Sequence, residues 1–160
     1  RYDDDMKPMT ESSHVVIVAR DYAEKYTGTT NLEEACRIIH DRGALIAGVT
    51  DGANGSYFVW PDGTAYRCQL FPQDSVVDTT GAGDSFHGAF LSKLAVSIRQ
   101  ENALYGEFIK PIDILQSLDH KQLESAAIFA SAVSALNTQG IGGRSALPSL
   151  KSACNLAGLE

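Results

Sequence analysis

Basic residues are the first shortage in this chain. Thirteen Lys and Arg stand against twenty Asp and Glu, a formal net charge of -7, which argues against a general nucleic-acid or anionic-membrane surface. Phosphate has to be gathered locally, and only Arg144 and Lys151 leave room for a small basic patch. Cysteine is scarce as well. Cys36, Cys68 and Cys154 lie far apart with no C-x-x-C pair, a set that fits reduced thiols in a cytosol better than a disulfide framework or a zinc site. No apolar run approaches the ~20 residues of a membrane-spanning helix, and no signal-peptide pattern opens the chain. The expectation is a soluble, cytoplasmic protein with no nucleic-acid and no membrane partner. No strand runs into G-x-G-x-x-G with a downstream acid, which sets a dinucleotide-dependent dehydrogenase aside.

At 160 residues and 44% hydrophobic content, the chain is large enough for one domain with a core and short for two, so residues 1–160 are expected to form a single compact unit. The opening Arg1-Tyr2-Asp3-Asp4-Asp5 has no methionine, and the first dozen residues lack periodicity. This reads as a chain entered partway through.

The run His14 to Ala19 suits a strand buried on both faces of a parallel sheet. Asp21 is placed to cap a short helix ending at Gly28. Asn31 is placed to cap the next, whose Leu32, Ala35, Cys36 and Ile39 form one apolar stripe before Gly43. Ala44 to Thr50 reads as a second buried strand, and the alternation of helix and strand is the α/β pattern. Ser56 to Trp60, a Pro61-Asp62-Gly63-Thr64 turn and Ala65 to Phe71 read as a β-hairpin. The stretch from Asn102 to Leu118 is expected to be irregular or short-helical. A last strong helix, Gln122 to Leu136, carries a stripe of Leu123, Ala126, Ala127, Ala130 and Val133.

The most informative stretch is Asp78-Thr79-Thr80-Gly81-Ala82-Gly83-Asp84-Ser85-Phe86-His87-Gly88-Ala89. Gly81, Ala82 and Gly83 let the backbone come close to a ligand. Beyond them Phe86, Ala89, Phe90, Lys93 and Leu94 recur at helical spacing. The open amides of a first helical turn face an anion there. Asp84 either caps that helix or accepts a proton from a hydroxyl that attacks phosphorus.

The run Asp-Thr-Thr-Gly-Ala-Gly-Asp followed by Ser-Phe resembles the C-terminal signature of the ribokinase-like, or PfkB, carbohydrate kinases. The resemblance implies a ribokinase-like three-layer α/β/α fold with a mostly parallel central sheet, of which the chain covers the C-terminal part without the lid. It implies ATP-dependent phosphorylation of a sugar hydroxyl or a sugar derivative, with Asp84 as catalytic base and the amides of Gly81, Ala82 and Gly83 as anion hole. Magnesium is expected with ATP, and a homodimer of the full-length protein is one further expectation. Within the same resemblance, Thr50-Asp51-Gly52-Ala53-Asn54-Gly55 matches T-x-G-x-x-G, which puts Thr50, Gly52 and Gly55 at the nucleotide; by pattern alone it is a turn. The loop Asn137-Thr138-Gln139-Gly140-Ile141-Gly142-Gly143-Arg144 is by pattern a glycine-rich helix end. The resemblance places Asn137 and Gly140 at the nucleotide, and Asp78, Thr80, Asn137, Gly140 and Gly142 around a monovalent cation such as potassium. His87 faces either substrate or a structural acceptor, and Arg144 either an oxyanion or solvent. Phe-His-Gly-Ala together with Gly-Gly-Arg looks most like the sulfofructose kinase branch. One element is missing: the N-x-x-E motif that organises magnesium in the family aligns with Ala19 and Tyr22, leaving Glu24 as a substitute. A catalytically silent nucleotide-binding or regulatory module of the same fold is the alternative function.

Overall fold

The computed structural model describes residues 2–105 and 109–159. The chain divides into two compact units, Arg1–Arg67 and Cys68–Glu160.

In the first unit, β1 (Val15–Ala19) and β2 (Ile46–Thr50) pair in parallel, in register from Val15 opposite Ile46 to Ala19 opposite Thr50. Parallel pairing needs a long crossover, and α2 (Arg20–Thr27) with α3 (Leu32–Asp41) supplies it. β3 (Ser56–Val59) runs antiparallel to β2, and β4 (Ala65–Cys68) completes the order β1-β2-β3-β4. This sheet is mixed, which corrects the mostly parallel sheet expected for this part of the chain. The turn from Asp51 to Gly55 is long enough to reverse a strand and too short to carry a crossover.

The apolar stripe of α3 is the centre of this unit. Leu32, Ala35, Cys36 and Ile39 are buried against Val16, Ala47, Val49 and Val59, residues that share one face of the sheet by the period of two. Burying Ile39 alone contributes about 2 kcal/mol. Asn31 caps α3 as expected, its Oδ1 accepting the amide of Glu34 at 3.1 Å. Gly28 closes α2 in the left-handed region, at φ 80°. The start of α2 differs from expectation: the helix leaves β1 directly at Arg20, so Asp21 lies inside the first turn. The opening residues, which lack periodicity, also form a helix, α1 (Tyr2–Ser12), tied down by a 2.7 Å hydrogen bond between Thr10 Oγ1 and the Tyr22 hydroxyl. Burial pushes the Cys36 thiol up to about 12, so it behaves as a small core hydrophobe.

The second unit is helical: α4 (Ala82–Tyr105), α5 (Pro111–Ser117), α6 (His120–Asn137) and α7 (Leu150–Ala157). α4 packs along α6. Phe86, Ala89, Phe90 and Leu94 of the first are buried, as are Leu123, Ala126, Ala127, Ala130 and Val133 of the second. The alanines let the helices approach, and Ser134 Oγ donates to the carbonyl of Ala82 at 2.9 Å. Lys93 leaves the apolar stripe by laying its ammonium 4.9 Å from the centre of the Phe129 ring. α4 runs well past Leu94, the last residue of the expected stripe. Of the stretch expected to be irregular or short-helical, α5 is a short helix and the first residues belong to the end of α4, while Gly106 lies outside the described residues. α6 starts two residues early because Asp119 and Gln122 form a reciprocal capping box. Among the described residues no helix is long and apolar enough to cross a membrane.

Candidate active site

Asp78 joins two loops of the second unit. Its Oδ1 accepts the amide of Thr80 at 2.9 Å, and its Oδ2 accepts the amide of Gly142 at 2.7 Å. The amides of Val77 and Asp78 both donate to the carbonyl of Thr138, at 2.8 and 3.2 Å. Thr80, then Gly142, holds the Asp78 carboxyl below the usual carboxylate range, because backbone donors favour the charged form. Asp78, Thr80 and Gly142, three of the cation candidates, are thus brought together by amide donors to one carboxylate. Asn137 reaches the same loop: it is fully buried, its Nδ2 donates to the Gly143 carbonyl at 3.3 Å, and its Oδ1 meets no donor among the described residues. A carboxylate and an orphaned amide oxygen are the donor chemistry a monovalent cation takes. Gly140 sits behind them, where a Cβ would come within 2.8 Å of the Ala146 methyl.

Gly81 carries the bend from this clamp into α4. Its φ is +75°, and a Cβ there would lie 2.6 Å from Cα of Gly143, backbone against backbone. Its carbonyl accepts the amide of Ser85 at 2.9 Å, so Gly81 occupies the cap. Asp84 falls inside the first turn, and its side chain is not the cap of the helix. The amide of Ala82 donates to Thr79 at 3.1 Å. Of the donor set expected at Gly81, Ala82 and Gly83, this uses the Ala82 amide, while the amides of Gly81, Gly83 and Asp84 are left without an acceptor among the described residues. His87 Nδ1 lies 2.7 Å from the carbonyl of Gly83. A carbonyl only accepts, so Nδ1 holds the proton and the ring braces the turn.

Asp84 is exposed and opens onto a cavity of about 460 Å³. Ser85 and Gly88 of α4, Phe129 and Val133 of α6, and Gly143, Arg144 and the run Leu147 to Leu150 wall it. Arg144 faces the same cavity and has no ion-pair partner among the described residues. The aliphatic wall was not anticipated. Its C-terminal part comes from α7, whose signals are the Ser149 cap, accepting the amide of Ser152 at 3.1 Å, and the left-handed Gly158.

Thr50, Gly52 and Gly55 lie in the first unit, at the turn after β2. Gly52–Asn54 is a single 3-10 turn with Gly52 at φ +49° and Gly55 at φ +88°. The Asp51 amide donates to the Gly55 carbonyl at 2.8 Å. Asp51 accepts from Arg20 Nη1, at 3.1 and 3.3 Å to its two oxygens, and from Asn54 Nδ2 at 3.1 Å. Arg20 Nε donates to Glu24 Oε1 at 2.7 Å. Glu24, the substitute magnesium anchor, is therefore bound to a guanidinium. Of the positions aligned with N-x-x-E, Tyr22 is hydrogen-bonded to Thr10 and the Ala19 side chain has no ligating atom. Among the described residues no three His, Cys, Asp or Glu side chains cluster around a common point, and magnesium commonly keeps several waters and takes only one or two carboxylates beside substrate phosphates.

Comparison with known proteins bears on both units. The family model described as pfkB family carbohydrate kinase matches residues 2–150. The bifunctional ribokinase/ribose-5-phosphate isomerase A of Fructilactobacillus sanfranciscensis is 28% identical over 127 residues, covering 79% of this chain and 19% of that protein. The 5-dehydro-2-deoxygluconokinase of Bacillus subtilis is 34% identical over 102 residues, 61% of this chain and 31% of that protein. Among solved structures, a double mutant of the fructokinase from Vibrio cholerae O395, in fructose, ADP and potassium ion bound form, superposes with a TM-score of 0.76 at 23% identity over 97% of this chain and 44% of its own. The ribokinase of Giardia lamblia superposes with a TM-score of 0.76 at 18% identity, over 97% and 47%. The chain thus spans less than half of these solved chains and under a third of these curated relatives, and the solved structures give it a ribokinase-like α/β fold.

Proposed function

The chain belongs to the PfkB family of carbohydrate kinases, and on that premise we propose that it is the nucleotide-binding and catalytic part of an enzyme that transfers phosphate from ATP to a sugar hydroxyl. The observation that carries this reading is the placement of Asp84: an exposed carboxylate in the first turn of α4, at the mouth of a cavity, beside amides that meet no acceptor. Asp84 takes the proton of the attacking hydroxyl while the amides of Gly81, Gly83 and Asp84, beside Ala82, steady the transferring phosphoryl group. Thr50, Gly52 and Gly55 contact the nucleotide, as do Asn137 and Gly140. ATP brings its own magnesium, and no protein anchor is ascribed to that ion. Asp78, Thr80, Asn137, Gly140 and Gly142 hold a monovalent cation, potassium or sodium, whose charge would stabilise the loops around the anion site. The three-layer arrangement of the whole protein, its dimerisation and the choice of a sulfofructose-type substrate belong to the same proposal.

The test is phosphotransfer over a panel of neutral and acidic sugars, in potassium and in a bulky organic cation. Asp84→Asn is expected to lower turnover by about 10²–10⁴-fold while ATP still binds in calorimetry. A near-native rate in that variant removes the base assignment, and equal rates in the two salts remove the cation. A second reading, a nucleotide-binding module without turnover, is favoured by Ala19, Tyr22 and the guanidinium-bound Glu24. ATP binding with no transfer to any sugar supports that reading.

A further inference from the structure

β1 and β2 end side by side, Ala19 opposite Thr50. The next residue of each strand is charged, Arg20 from one and Asp51 from the other, and ligands of open α/β sheets approach at such carboxyl ends. Arg20 spans them. One arm of its guanidinium holds both oxygens of Asp51, and its Nε holds Glu24 one turn along α2. Asn54 closes the turn from the other side onto the same Asp51 oxygen. The Asp51 side chain is only 14% exposed, while Gly52, Ala53 and Asn54 stay open and the space beyond Gly52 is empty.

We infer that Arg20 is the positioning residue of the Thr50–Gly55 turn: it fixes the backbone that meets the nucleotide and cancels a carboxylate that would otherwise repel the triphosphate. This rests on the reading of that turn as a nucleotide contact. The electrostatics decide the sign. A bare Asp51 charge beside phosphate opposes binding, whereas a hydrogen-bonded Arg–carboxylate pair presents little net charge and one geometry. Lysine is a weak replacement because it lacks the fork that grips two carboxylates at once.

The experiment is calorimetric titration of ATP with magnesium into the 160-residue chain, together with hydrogen exchange of the Asp51 to Gly55 amides. Arg20→Gln is expected to weaken ATP about tenfold, the scale of one lost charge-assisted hydrogen bond, and to speed exchange in the turn with the melting temperature held within about 2 °C, a local rather than global loss. Arg20→Lys recovers part of the affinity. The double variant Arg20→Gln with Asp51→Asn binds no worse than Arg20→Gln alone, since the two act as one unit. Unchanged ATP affinity in Arg20→Gln, or additive losses in the double variant, overturn the inference while the kinase reading stands. A wild-type chain that binds no ATP overturns both.

Discussion

The two units fix their glycine-containing loops by different means. In the first, charged side chains reach the Thr50–Gly55 turn from the neighbouring strand end, and Arg20 is 42% exposed. In the second, one carboxylate collects backbone amides from two loops, and Gly81 lies against Gly143 with no room for a side chain. A half-exposed ion pair can be tuned by salt and by substitution. A backbone-to-backbone contact is steric and tolerates almost nothing. The loop expected to sit closest to phosphoryl transfer is the one built the second way, in keeping with the demand for fixed donors at a transition state.

Paired glycine substitutions break that comparison most directly. Gly81→Ala combines a left-handed φ with overlap on the Gly143 backbone, so a loss of about 2–5 kcal/mol of stability is expected in denaturant titration. Gly52→Ala meets no atom within 4 Å and carries only the cost of its φ, about 1 kcal/mol. Equal losses at the two positions would mean that the Gly81–Gly143 contact is not what holds the signature. A smaller effect sharpens the contrast through pH. The Asp78 carboxyl is held below its usual range by Thr80 and Gly142, so its contribution is fully present above the ordinary carboxylate range and is lost as pH falls below it. Amide resonances of Thr80 and Gly142 should shift together as that loss occurs, and Asp78→Asn should remove the coupled shift. Independent movement of the two resonances would show that Asp78 does not join the loops.

Much of the fold was legible because its signals are short-range. Asn31 and Gly28 mark helix ends through contacts three or four residues away, and the stripe of α3 follows from the helical period. The mixed sheet was legible in part. The hairpin between β3 and β4 was read, while the reversal between β2 and β3 follows from the brevity of the Asp51 to Gly55 turn. α7 was missed because eight residues give little periodicity, although Ser149 and Gly158 bracket them. The candidate site divides in the same way. Asp84 was singled out by its place after two glycines, whereas the use of the Ala82 amide by Thr79 depends on the detailed path of the turn.

The sequence by itself determined the main turns, the Asn31 cap and the buried stripes, and it carried the signature that places the chain in its family, since these depend on neighbours within a few positions. Only the tertiary structure decided that Arg20 meets Asp51 across 31 positions, that Asp78 meets Gly142 across 64, and that Asp84 and Arg144 face one cavity. Strand register and helix packing set those meetings, and both are properties of elements already assembled, which no local pattern of residues encodes.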